Sequence, residues 1–231
     1  MKLVFEFKKT GDLVYISHLD LTRLFLRMLR ISGLKPAYSQ GFNPHPKMSF
    51  ALPLSLGLYS VCELLEIETE GTLEPEAVES AVRSINKRMP DGARVTAWYE
   101  KPQRVSKSLA SYTSSAVYEF MCDRIGNAPA LLADFFAREN VIAKKHDKKT
   151  GKVVEKDIRT EMISYRIVKD IPGRMLAEAV LSAQQGRTLN PIVFFDTFCL
   201  ASGLETDLLT PVITRTAILG NEGRPLTEIL L

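Results

Sequence analysis

The densest run of function-capable side chains lies in Tyr38-Ser39-Gln40-Gly41-Phe42-Asn43-Pro44-His45-Pro46-Lys47-Met48-Ser49-Phe50. Gln40 and Asn43 can read donor and acceptor patterns, Tyr38, Phe42 and Phe50 can stack on bases, and Lys47 can meet a phosphate. That mixture is the one single-stranded RNA recognition uses. Pro44 and Pro46 fix their own φ and push Asn43 and His45 toward extended backbone, while Gly41 admits a left-handed turn. A stiff loop pre-organises the groups it carries. The same residues also suit a plainer reading, in which Phe42 and Phe50 belong to the core and the prolines shape a sheet edge.

Upstream, Arg23, Arg27 and Arg30 recur at spacings of four and three, opposite an apolar stripe of Leu21, Leu24, Phe25, Met28 and Leu29. They form either a solvated helix face or a rail for phosphate, since a guanidinium offers a planar fork to phosphate oxygens. His18 and His45 are the candidates for acid/base catalysis. His18 falls in the first turn of the expected helix, where the positive dipole end favours neutral imidazole. Together with Asp20 the two histidines lack a recognised metal spacing, so no metal site is expected.

A second basic cluster lies near the middle of the chain, where Lys144, Lys145, Lys148, Lys149, Lys152, Lys156 and Arg159 crowd a hairpin pattern. Seven positive charges face three negative ones there, an excess of +4 set against +3 for the whole chain. The remaining surface is therefore near neutral. Lys148, Lys149 and Lys152, at the turn, are candidates for phosphate contact, although a lysine-rich hairpin can equally be an edge protected from aggregation.

A net charge of +3 and a pI near 8.7 are too mild to announce a nucleic-acid binder by themselves. Cys62, Cys122 and Cys199 lie far apart with no CxxC or Cys/His ligand spacing, which points to free thiols in a reducing cytosol. The N-terminal residues alternate like a strand and lack a signal-peptide hydrophobic region. The longest uncharged stretch, Met48 to Cys62, is shorter than the roughly 20 residues a bilayer span needs. A cytoplasmic protein without membrane contact is expected.

The elements that must position these groups follow from periodicity. Residues 2 to 8 read as a strand. Ser17 to Ser32 reads as a helix with Ser17 as N-cap, Asp20 in the capping-box place and Gly33 as terminator. Lys47 to Leu52 and Cys62 to Thr69 read as strands, Glu74 to Arg88 as a helix, and Arg94 to Glu100 as a strand. This β-α-β-β-α-β order is the ferredoxin-like arrangement, with helices on one face of an antiparallel sheet and the other face open. After a linker over Lys101 to Leu109 the rhythm repeats. Its segments are Tyr112 to Cys122, Ala128 to Glu139, Val141 to His146, Val153 to Val168, Met175 to Ala183, Pro191 to Ala201 and Val212 to Leu219, one long hairpin being inserted. The fold class is thus α+β, two tandem ferredoxin-like domains over residues 1–101 and 110–231.

The motifs Tyr15-Ile16-Ser17-His18-Leu19-Asp20-Leu21-x-Arg23, Ala37 to Phe50 and Leu52-Pro53-Leu54, with Asp157-Ile158-Arg159 further on, carry a resemblance. The chain resembles the radical-SAM-linked protein family of unknown function (DUF2344 type), closely in its first half and loosely in its second. Proteins of that family occur beside, or fused to the C-terminus of, cobalamin-binding radical SAM proteins, often near genes of RNA processing and the ribosome. No CxxxCxxC cluster motif is present here, so the resemblance implies a stand-alone form with no cofactor of its own. The iron-sulfur cluster, S-adenosylmethionine and cobalamin would then belong to a radical SAM partner. The architecture is also similar to that of the RNA-binding RAMP proteins of CRISPR systems.

Three functions stand open on these residues. The first is an RNA-binding accessory protein for a radical SAM partner, using Arg23, Arg27, Arg30, Gln40, Asn43, His45, Lys47 and the basic hairpin. The second is an RNA-processing or RNA-modifying enzyme with His18 or His45 as acid or base. The third is a docking subunit without nucleic acid, which requires an apolar patch on the open sheet face.

Overall fold

A computed structural model describes residues 1–123, 125–146, 153–171, 173–205 and 209–231. Within it the chain forms a mixed α and β fold, with mostly antiparallel strand pairing. Two compact units are present, one of residues 1–113 with 217–231 and the other of residues 114–216.

The first unit runs β1 (Lys2–Lys9), α1 (His18–Ser32), β2 (Met48–Phe50), β3 (Tyr59–Glu68), α2 (Pro75–Arg88) and β4 (Val95–Glu100). Its strand order is β4-β1-β3-β2, and every neighbouring pair is antiparallel. Alternation along β1 turns Leu3, Phe5 and Phe7 to one face, where they meet Leu65 and Ile67 of β3 and Val95 of β4 in one core. The stripe of α1 (Leu21, Phe25, Met28, Leu29) and that of α2 (Val78, Ala81, Ile85) close over the same face.

Helix α1 begins where the sequence signal puts it. Ser17 Oγ accepts from Asp20 N at 3.1 Å and donates to Asp20 Oδ2 at 2.7 Å. Gly33 ends the helix at φ 89°, a conformation that carries no steric cost for glycine. Helix α2 starts on Pro75, whose missing N–H would be unpaired in the first turn anyway.

The opposite face of this sheet is not open. Val4 and Leu64 are buried there, and Glu66 is engaged by residues of the expected linker. Lys101 Nζ donates to Glu66 Oε1 and to the Lys107 carbonyl, both at 2.6 Å, and Leu109 N donates to Glu66 Oε2 at 3.0 Å. Val105 and Leu109 are buried as well. Read as a mixture of polar and basic residues, the segment looks detached; its few apolar side chains and one buried lysine anchor it.

The second unit contains β5 (Ser115–Asp123), α3 (Ala128–Ala137), β6 (Ile142–His146), β7 (Val153–Asp157), β8 (Met162–Ile171), β9 (Arg174–Gln184), β10 (Arg187–Thr188) and α4 (Pro191–Ala201). It ends in β11 (Val212–Leu219), of which residues 212–216 belong to this unit. Strand β9 pairs antiparallel with β5, β8 and β10, and β11 lies on the other side of β5. Strands β6 and β7 form a separate two-stranded sheet. Phe120 of β5 packs between Phe194 and Phe195 of α4, at centroid distances of 5.5 and 5.9 Å, and Phe135 of α3 meets Phe194 and Phe198. The single strand expected over Val153 to Val168 is broken into β7 and β8 by a helical turn at Arg159–Glu161, beside the buried Ile158.

Gly92, at φ 95° in the turn before β4, faces the Thr10 carbonyl so closely that a Cβ would overlap it. Gly92→Ala should lower stability by about 2 kcal/mol or more, combining left-handed strain with that clash. Urea denaturation measures this, and an unchanged midpoint would show that the turn relaxes freely.

Candidate functional site

The segment between α1 and β2 is a hairpin-like loop held by its own backbone. Tyr38 and Pro46 form an isolated antiparallel bridge, Ser39 N donates to the His45 carbonyl at 2.8 Å, and His45 N donates to Ser39 Oγ at 2.9 Å. At the foot, Ala37 N donates to the Glu68 carbonyl (2.7 Å), Lys47 N to that of Ala37 (2.8 Å), and Glu68 N to that of Lys47 (2.9 Å). The loop is thereby tied to the end of β3. Arg30, in the last turn of α1, donates from Nη2 to the Tyr38 hydroxyl at 2.6 Å, a charge-assisted bond that fixes the loop's entry. Gly41, at φ 127°, makes the reversal at the tip.

Pinned in this way, the loop exposes Gln40, Phe42, Asn43 and His45. The side chains of Gln40 and Asn43 make no hydrogen bond among the described residues. Phe42 is 107% exposed, as open as a side chain can be. The three aromatics considered for stacking therefore differ. Phe50 is buried, with its ring 5.9 Å from Phe7 and 6.1 Å from Phe25, so it is a core residue. Tyr38 is half-buried and tied through its hydroxyl. Phe42 alone of the three has free faces.

Beside the loop lies an open depression of about 380 Å³, lined by Ser39, His45, Pro46, Lys47, Met48, Ser49, Glu66 and Glu68. Lys47 Nζ donates to Glu68 Oε1 at 2.7 Å, and this bond is the main reason the Glu68 carboxyl sits below its ordinary pKa. Such a pair near the surface is worth about 0–1 kcal/mol, so either partner can turn to an incoming ligand. Glu66 is already committed to Lys101 and Leu109. The sequence reading passed over Glu68. Its only signal is the alternation of Glu66, Ile67 and Glu68, because the Met48↔Ile67 and Ser49↔Glu66 pairing that sets it beside Lys47 is a tertiary fact.

Arg23, Arg27 and Arg30 are all exposed on α1 but are not equivalent. Arg23 pairs with Asp20 at 3.1 Å, Arg30 is bound to Tyr38, and Arg27 has no partner among the described residues. His18, at the start of α1, packs edge-on against Phe50 with 4.9 Å between centroids. His45 lines the depression and His18 does not.

In the second unit, Lys148, Lys149 and Lys152 lie outside the described residues. Of the other cations there, Lys144 pairs with Glu155 at 3.4 Å and Lys156 with the buried Glu161 at 2.6 Å. Arg159 donates to the carbonyls of Arg138 (3.0 Å) and Met162 (3.4 Å). Burial pushes the thiol pKa of Cys122 up to about 11 and that of Cys199 up to about 12, so both remain unreactive thiols at neutral pH. No group of three His, Cys, Asp or Glu among the described residues is arranged to hold a metal ion. No described helix is long and apolar enough to cross a membrane.

Residues 2–191 match the model of a family described as an uncharacterized protein conserved in bacteria (DUF2344), and the chain belongs to that family. Among curated proteins none matches it. The matched span takes in the whole loop, α1 and the Asp157-Ile158-Arg159 motif.

That motif is structural. The backbone N–H groups of Arg159 (2.9 Å) and Val141 (3.0 Å) converge on Asp157 Oδ1 and hold its carboxyl below the ordinary 3.8, with a smaller pull from the Arg159 charge. A carboxylate of lowered pKa contributes its full stability above its unfolded value and loses it as the pH falls through the folded one. Asp157→Asn should therefore lower stability at neutral pH and flatten its decline below about pH 4. Stability curves across pH test this, and parallel curves for the two proteins would show that the carboxylate contributes nothing.

Proposed function

We propose that the protein is an RNA-binding accessory protein built from two tandem ferredoxin-like units, working with a radical SAM partner in RNA or ribosome-related modification. The unit architecture is supported by the β-α-β-β-α-β order and the β4-β1-β3-β2 strand order of the first unit. The second unit repeats the scheme as β11-β5-β9-β8, with the β6–β7 hairpin inserted. The radical SAM link rests on the family resemblance, and the iron-sulfur cluster, S-adenosylmethionine and cobalamin would be held by that partner.

One observation carries the RNA reading. Exposed cations on α1 and exposed amide, aromatic and imidazole groups on the adjoining loop are presented by a backbone that its own hydrogen bonds hold still. Preorganisation reduces the ordering cost of binding, and cations beside stacking groups are the usual equipment for unpaired nucleic acid. The burial of Val4 and Leu64 weighs against a docking subunit that uses an open apolar sheet. A second reading, RNA processing or modification by the protein itself, draws support from His45 sharing a depression with Ser39, Lys47 and Glu68.

Wild type and the triple variant Arg23→Ala/Arg27→Ala/Lys47→Ala should differ in a salt series with total cellular RNA. Removing three phosphate contacts should reduce the log-affinity against log-salt slope by about 2, since each contributes roughly 0.7 on a single strand. Absence of wild-type binding at low salt would overturn the proposal. Strand cleavage or base modification by the pure protein, lost in His45→Ala, would favour the enzyme reading.

A further inference from the structure

We infer that the loop recognises unpaired RNA, with Phe42 as the platform on which one base stacks. The inference rests on the RNA-binding reading above and adds to it the strand state of the substrate and the residue that senses it.

Phe42 buries none of its ring within the chain, having no ring contact among the described residues. Nor is it carried on a slack segment. The Tyr38–Pro46 bridge, the paired bonds between Ser39 and His45, and the Arg30–Tyr38 bond fix the stem directly beneath it. A rigid stem that holds an aromatic ring clear of the protein suits a ligand that supplies a flat face from outside. Two unpaired amides, Gln40 and Asn43, flank that ring, and they offer hydrogen bonds to the edge of a base.

Charge on the helix that leads into the loop and at the loop's foot selects among ligands with flat faces. Arg27 is unpartnered among the described residues, while Arg23 and Lys47 hold only exposed ion pairs that a phosphate can displace. Stacking needs an accessible base face. In an A-form duplex the faces are covered by neighbouring bases and the major groove is too narrow for side chains. Single strands, bulges and loops leave the faces free, and every base has one, so stacking by itself imposes little sequence preference. The depression beside the stem gives the next nucleotide a mixed surface, apolar from Pro46 and Met48 and polar from Ser39, His45 and Lys47, with Glu66 and Glu68 at its wall.

The test uses the full chain with a short RNA carrying 2-aminopurine, offered as a single strand and as a duplex with its complement. Wild type, Phe42→Ala, Phe42→Tyr and Arg23→Ala/Arg27→Ala are compared. The unpaired strand should bind wild type roughly tenfold or more tightly than the duplex, and its fluorescence should change on binding. Phe42→Ala should lose roughly tenfold or more in affinity together with the fluorescence change, while keeping the wild-type salt slope. Phe42→Tyr should restore both, and the arginine variant should lose salt slope but keep the fluorescence change. Because Phe42 makes no internal contact, its substitution leaves the fold intact, which circular dichroism checks. Equal affinity for duplex and single strand, or a Phe42→Ala protein that binds like wild type, would overturn the stacking inference while leaving RNA binding standing. A wild type that binds neither form would remove both.

Discussion

Three phenylalanine rings hold the first unit together at the point where its function-capable loop is mounted. Phe7 of β1, Phe25 of α1 and Phe50 of β2 meet edge to face, with centroid separations of 4.6, 5.9 and 6.1 Å. Each ring comes from a different element, so this contact fixes the helix and the edge strand to the sheet together. The loop runs from the end of that helix to the start of that strand. Both of its ends are therefore set by the core, independently of the hydrogen bonds within it. Arg30–Tyr38 and the Ala37–Lys47–Glu68 backbone bonds then refine a geometry already bounded on both sides.

Charge is used in two ways in this chain, distinguished by burial. Lys101 is buried and meets Glu66 at 2.6 Å, with the Lys107 carbonyl as a further acceptor. Buried ions are tolerated when hydrogen bonds satisfy them on several sides, and their loss leaves an uncompensated partner. The pair therefore specifies where residues 101–109 dock. By contrast Arg23–Asp20 and Lys47–Glu68 stand at the surface, where an ion pair adds little stability and exchanges readily. The first kind shapes the unit, and the second remains available to ligands.

Local signals were legible where the physics is local. The helix from Ser17 to Gly33 could be read because its N-cap hydroxyl, its Asp20 and its terminal glycine act within a few residues of each other. The order of elements in the first unit followed from periodicities of the same short range. Less visible was anything decided by distant partners. Phe50 looked as suited to stacking as Phe42, and only the packing of β2 separates a core ring from an exposed one. Arg30 resembled its two neighbours until Tyr38 came within 2.6 Å of it. The far sheet face read as open because no periodicity shows that residues 101–109 fold back onto Glu66. The break between β7 and β8 escaped for the same reason, since the Asp157 carboxylate organises it through the backbone of Val141, sixteen residues away.

What remains once every internal partner has been assigned is informative about the loop itself. Across α1 and the loop, Arg27, Gln40, Phe42 and Asn43 hold no partner among the described residues, although residues between and around them are bonded closely. Two prolines, a backbone bridge and a charged hydrogen bond restrain the loop that carries these groups. Rigidity without internal contact lowers the entropy lost when an outside partner is bound, which suits the recognition role proposed above. The chemistry left free among the described residues of the helix and loop includes the cations of Arg27 and Lys35, two amides, the His45 imidazole and one aromatic face. On the proposed reading these groups would meet phosphate, base edge and base face, the three parts that an unpaired nucleotide presents.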